Sequence, residues 1–281
     1  MNRQHGLTLL EMMIALTIGL FIIAGVGQIF ISTRAAYNNQ ERIANLQENG
    51  RFALMFLQRS LRKAGYPKSS ALNAFTSTPS SAACPVPTSA SSAACPSNAA
   101  TSVTATCNDA GSVSDQVAVC YQGTLDCLGQ DGSGGTGVVG VVTDQFFVAT
   151  DAATGVSRLM CRGFYNGIPN ANGQAQPLVD GVENLQVQYG QDTDNDGSAN
   201  RYVRADQVTN WDAVVSVRVA ALASTVSNDA LSSGGVYGDT ASDALTYQVL
   251  ETSATLPASA VRAHARGRVF VSTIEVRNRT P

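Results

Sequence analysis

Residues 12–33 form a run of 22 positions without a single charge, placed almost at the N-terminus of a 281-residue chain. As a helix rising 1.5 Å per residue, that run is about 33 Å long, enough to cross a hydrocarbon layer of about 30 Å. It reads as a single membrane span, and whatever else the chain builds has to hang from it. An ordinary secretory signal peptide would have a shorter apolar core and a small-x-small cleavage site just behind it. Here the positive flank is very short, and Gln28 to Arg42 continues in helix-compatible residues instead of a cleavage site.

Glu11 is out of place in a plain anchor. An ionised carboxylate at membrane depth costs about 2.5–3.5 kcal/mol on insertion scales, so it calls for a partner or a use. No cation lies one helical turn away on either side. A cut after Gly6 would create an α-amine on Leu7, four residues before the acid, and the amine of a neighbouring copy could reach it. The string Gly6-Leu7-Thr8-Leu9-Leu10-Glu11-Met12-Met13-Ile14-Ala15-Leu16 closely resembles the processing site of type IV pilins and type II secretion pseudopilins. Those chains carry a short basic leader ending in Gly, then an apolar first residue, with Glu fifth in the mature chain.

The resemblance implies cleavage between Gly6 and Leu7 by prepilin peptidase on the cytoplasmic face, N-methylation of Leu7, and an assembly role for Glu11. Leu7 stands where Phe is more usual. Residues 1–6 are then a leader, kept in the cytoplasm by Arg3 and the initiator amine under the positive-inside rule, and residues 7–33 a transmembrane helix. The expected topology is a single pass through the inner membrane, with a periplasmic C-terminal head that later enters an extracellular pilus.

Helical composition persists without proline until Pro67. Ile43, Leu46, Gly50, Ala53, Leu57, Leu61 and Ala64 recur every three or four residues and mark one apolar face, so residues 34–66 read as an amphipathic periplasmic half of the same helix. Gly65-Tyr66-Pro67 is a stop signal. One helix from Leu7 to Ala64 is the main expectation, two helices hinged at Gly25 and Gly27 the alternative. Three segments resemble PilW-type minor pilins: Glu48 to Tyr66, Asp180 to Gly190 running into Asp192-Thr193-Asp194-Asn195-Asp196-Gly197, and Arg268 to Arg279.

Residues 67–114 are rich in Ser, Ala and Pro, and a segment so poor in large apolar residues reads as a surface loop. Cys84, Cys95 and Cys107 punctuate it; with Cys120, Cys127 and Cys161 they make six cysteines. An even number in an oxidising compartment points to disulfides, of which six cysteines allow about 15 arrangements. Spacing weakly favours Cys84–Cys95. No CxxC occurs and no His is near, which argues against zinc. Residues 115–281 carry strand-like runs at 116–121, 145–150, 158–164, 182–189, 211–223, 245–250 and 268–277, bounded by turn residues. The fold class expected is α+β: a long N-terminal helix packed on a mainly antiparallel sheet, pilin-like, with Val214, Val217 and Val219 in the core.

Charge excludes some functions. From Ser69 to Pro257 there are five Arg and seventeen acids, and Lys occurs twice in the whole chain, which does not make a phosphate-binding surface. Residues 129–137 are glycine-rich but lack the Lys of a phosphate loop. Asp192, Asp194 and Asp196, followed by Gly197 and Ser198, open like a calcium loop, and Ca2+ is the one cofactor suggested. The later ligand positions fall on Asn200 and Val203, so the match is partial, with Asp206 a substitute if the loop bulges. The two histidines, His5 and His264, assemble no catalytic set, so no enzyme is expected.

The resemblance therefore implies a minor pilin for initiation or the tip of a type IV pilus, supporting twitching motility and adhesion. Its implied partners are other minor pilins, the major pilin, the inner-membrane assembly machinery, prepilin peptidase and a tip adhesin. The competing readings are a type II secretion minor pseudopilin and a signal-anchored periplasmic calcium- or ligand-binding module.

Overall fold

The computed structural model describes residues 8–66, 74–75, 114–151, 154–169, 174–225, 246–255 and 266–276. Helix α1 runs unbroken over Leu9–Leu61, 53 residues, about 80 Å at 1.5 Å per residue. The glycines at 25 and 27 do not hinge it. Thr8 caps its start in extended conformation. At the other end the helix tightens: Lys63 and Ala64 donate to Ser60 and Leu61, three residues back, and Gly65 takes a positive φ of 71°. The helix thus stops about one turn before the stop signal, because its last carbonyls are satisfied by tighter turns.

The head follows as eleven strands among the described residues. The first sheet holds β1 (Val117–Gly123), β2 (Gly140–Thr150), β3 (Ser157–Tyr165) and β4 (Ile168–Pro169) in that order, with β5 (Gln176–Asp180) also paired to β3. The second sheet has the order β11-β8-β6-β7, from β6 (Val182–Gln191), β7 (Arg201–Val203), β8 (Val214–Ser224) and β11 (Gly267–Glu275). A hairpin of β9 (Thr246–Val249) and β10 (Thr252–Thr255) stands apart. Every pairing is antiparallel. Each predicted run meets a strand, except that Trp211–Ala213 forms a 3-10 turn before β8.

Helix and sheets share one core. Leu46, Gly50, Ala53, Leu57, Ser60 and Leu61 are the buried residues of α1, repeating at three and four, so a single stripe faces the head. Ala53, Leu57 and Leu61 share one buried cluster with Val119, Val142, Phe146 and Leu159 of the first sheet and Leu185, Val187, Val217 and Val219 of the second. Leu57 and Leu61 are fully buried, and each contributes about 1.5–3 kcal/mol relative to exposure. Val214, Val217 and Val219 are in this core as expected. Ile43 is not: it is 36% exposed, because the head begins to cover α1 only near Leu46. On the other face of β8, Ala220 and Leu222 pack with Val249 and Ala254 of the β9–β10 hairpin.

Candidate assembly site and the joint between helix and head

The anchor half of α1 has no cover inside the molecule. Its most apolar window is not buried at any position, and Leu9, Phe21 and Ile23 are among its exposed side chains. At its start, Glu11 has a partner that charge counting missed. The backbone N–H and the hydroxyl of Thr8 donate to Glu11 Oε2 at 2.9 and 3.0 Å, and Glu11 N–H donates to Thr8 Oγ1 at 3.4 Å. This is a capping box, legible in Thr8-x-x-Glu11 as a hydroxyl residue three positions before a Glu. The donors are neutral, so they aim the carboxylate without cancelling its charge. Both belong to residue 8, so a cut between Gly6 and Leu7 would leave the box intact. Gly6 and Leu7 themselves lie outside the described residues.

Where α1 meets the head, a carboxylate is sealed in. Asp144 on β2 is fully buried. Its Oδ2 accepts from Ser60 Oγ of α1 at 2.8 Å and from Tyr121 Oη of β1 at 2.9 Å, and its Oδ1 from the backbone N–H of Cys127 at 2.8 Å. Lys63 Nζ lies 4.5 Å from the centre of the Tyr121 ring and 3.3 Å from its hydroxyl. Burial pushes Asp144 up to about 6, against the opposing pull of its three donors and of Lys63; burial and the Asp144 charge push Tyr121 up as well. Since the folded value exceeds the unfolded one, the stability linked to Asp144 is fully present below about pH 4 and is lost as pH rises through about 6. The linked change is on the order of 3 kcal/mol. Melting of the protein against pH is expected to show this decline, and Asp144→Asn to flatten it; an unchanged pH profile in that variant would contradict the assignment.

Cys127 is joined to Cys161 across 34 residues, with Cα atoms 6.6 Å apart. The bond ties the loop after β1 to β3 and holds the amide that donates to Asp144. Cys120 is disulfide-bonded too. Cys84, Cys95 and Cys107 lie outside the described residues, and so does the favoured Cys84–Cys95 pairing.

The acidic loop between β6 and β7 closes on itself. Asp192 Oδ1 accepts from Asn195 N–H at 2.7 Å and Oδ2 from Gly197 N–H at 2.8 Å. Burial raises its pKa, and these backbone donors outweigh that, so the net shift is downward. Oxygens of Asp192, Asp194 and Asp196 come within 4.8 Å of one another, while Ser198 offers its N–H to Asp196. Asn200 donates to Asp194 and accepts from Thr193. Asp206, the substitute for the missing twelfth ligand, is held at 2.7 Å by Arg204. The glycine-rich segment wraps around Asp131, which accepts from Ser133 and Gly135, a turn as expected. His5 and His264 lie outside the described residues.

Residues 145–278 match the family model described as Type IV Pilus-assembly protein W, and residues 1–27 match that of the prokaryotic N-terminal methylation motif. No curated protein matches the chain. Among solved structures, a type IV-like pilin from Thermus thermophilus aligns at 15% identity over 61% of this chain and 82% of its own, with a TM-score of 0.33.

Proposed function

Because the chain belongs to the type IV pilin family and is of the PilW type, we propose that it is a minor pilin acting at the initiating or tip position of a pilus. In this reading the first half of the 53-residue helix is stored in the inner membrane with the head in the periplasm, and the helix is drawn into the filament after prepilin peptidase removes residues 1–6. The exposed apolar half of α1 exchanges lipid for the corresponding helices of neighbours. The Glu11 carboxylate, already aimed by Thr8, receives the N-terminal amine of an adjacent subunit in an apolar core, where an uncompensated charge costs several kcal/mol. The pairing sets axial register. The head is a scaffold for contacts with other minor pilins and a tip adhesin.

The observation that carries the reading is the continuity of one helix from the methylation-motif terminus into the seam of the PilW-type head. A large head with a long cysteine-bearing insert suits a sparse position better than a tightly packed shaft. Deleting the gene is expected to abolish or strongly reduce surface pili and twitching motility while leaving protein secretion intact. Intact piliation with lost secretion would instead assign the chain to a type II secretion pseudopilus.

A further inference from the structure

Arg34 is the only charged residue between Glu11 and Glu41. It stands 23 positions after Glu11, about 35 Å along the helix at 1.5 Å per residue, while the hydrocarbon layer is about 30 Å thick. With Glu11 at one face of that layer, the guanidinium reaches the headgroups of the other. Its side chain turns back toward the span: Arg34 Cζ lies 5.2 Å from the centre of the Phe30 ring, one turn nearer the anchor. Tyr37 follows one turn further on along the same face and is 68% exposed, and Phe30 is 60% exposed. A basic residue between two aromatic rings at the end of an apolar span is how side chains with an apolar body and a polar tip settle at the boundary between lipid and water.

What neutralises Arg34 has to come from outside the chain. Among the described residues it makes no ion pair; those that form join Arg158 and Arg204 to acids of the head. The nearest acid in sequence is Glu41, seven residues or about 10 Å further from the membrane. The head is no closer: it first buries α1 at Leu46, about 18 Å beyond Arg34 along the helix. It also covers the other side of α1, because Tyr37 precedes Leu46 by nine residues, about two and a half turns. A second copy standing in the same membrane offers no acid at this level either, since residues 12–40 hold none. The bilayer itself supplies a layer of phosphodiester anions at that depth, and a guanidinium can take two phosphate oxygens at once.

We propose that Phe30, Arg34 and Tyr37 hold the phosphate group of a membrane phospholipid, in the leaflet on the side of the head, and so fix the depth at which the anchor rests. The contact rests on the anchor reading and does not need a filament. Native mass spectrometry of the full-length protein, released from detergent micelles, tests it with three probes: phosphatidylglycerol, a diacylglycerol with the same acyl chains, and inorganic phosphate. The expected result is one retained phosphatidylglycerol and neither of the others, because the site uses the phosphate and the tails beneath it together. Retention should fall about fivefold in Arg34→Gln, the effect of one arginine at a membrane surface. It should stay unchanged in Arg51→Gln, an exposed arginine of the same helix about 25 Å further out. Equal retention by the parent and Arg34→Gln, an equal loss in Arg51→Gln, diacylglycerol retained as well as phosphatidylglycerol, or inorganic phosphate bound without lipid would each overturn the proposal. The mass of the N-terminus, read in the same spectra, reports the pilin reading separately: an intact leader would contradict that reading and leave the lipid contact standing.

Discussion

Replacing Cys127 and Cys161 together by alanine is expected to lower the stability of the head by about 3–4 kcal/mol through loop entropy alone, the largest single loss foreseen for this chain. The two residues are 34 apart in sequence, and freeing a loop of that size returns roughly this much conformational entropy to the unfolded chain. A second contribution adds to it. Cys127 supplies the amide that Asp144 accepts, so once the loop is released the buried carboxylate keeps only Ser60 and Tyr121. A buried charge stripped of one donor is costly, on the order of 1–3 kcal/mol. Denaturant unfolding of the full-length protein in detergent would measure the sum, and a loss under about 0.5 kcal/mol would contradict the role given to this bond. Asp144→Asn should make the double variant less sensitive to pH, because the two effects meet at one carboxylate.

Glu11→Gln is expected to separate folding from assembly. The amide oxygen of Gln can still accept from Thr8, so helix capping survives and only the charge is lost. Processing at Gly6 should proceed. In the filament, however, the neighbour's cationic amine would face no anion in an apolar core, a penalty of about 2.5–3.5 kcal/mol, or about a hundredfold in the balance between membrane and filament. Quantitative blotting of sheared pili against membranes would measure it. A variant that enters filaments as well as the parent would remove the charge pairing from the mechanism.

The helix was readable because two independent patterns fall on it: an uncharged run long enough to span a membrane, then a stripe repeating at three and four. Gly50 belongs to that stripe for a reason sequence could not show. A Cβ there would overlap the ring of Phe270, a residue 220 positions away. The long strands were legible from alternation, whereas β4, β5, β7 and β10 are two to five residues long and owe their form to the strand beside them. Asp144 gave no signal at all, since its donors come from 84, 23 and 17 residues away. The Thr8–Glu11 box is legible as a hydroxyl residue three positions before a Glu, a neutral partner that charge pairing alone does not reveal. Six cysteines could not choose among their pairings; the approach of the loop after β1 to β3 chose Cys127–Cys161.

The central claim is that this chain is handled as a pilin: cut after Gly6, methylated at Leu7, and carried forward on its Glu11-bearing helix. Mass spectrometry of the N-terminal peptide from cells that contain prepilin peptidase tests it most directly. The expected peptide begins at Leu7 and is one methyl group heavier than the unmodified sequence. A peptide that still begins at Met1 or Asn2, with the leader intact, would contradict the account and favour a signal-anchored periplasmic module.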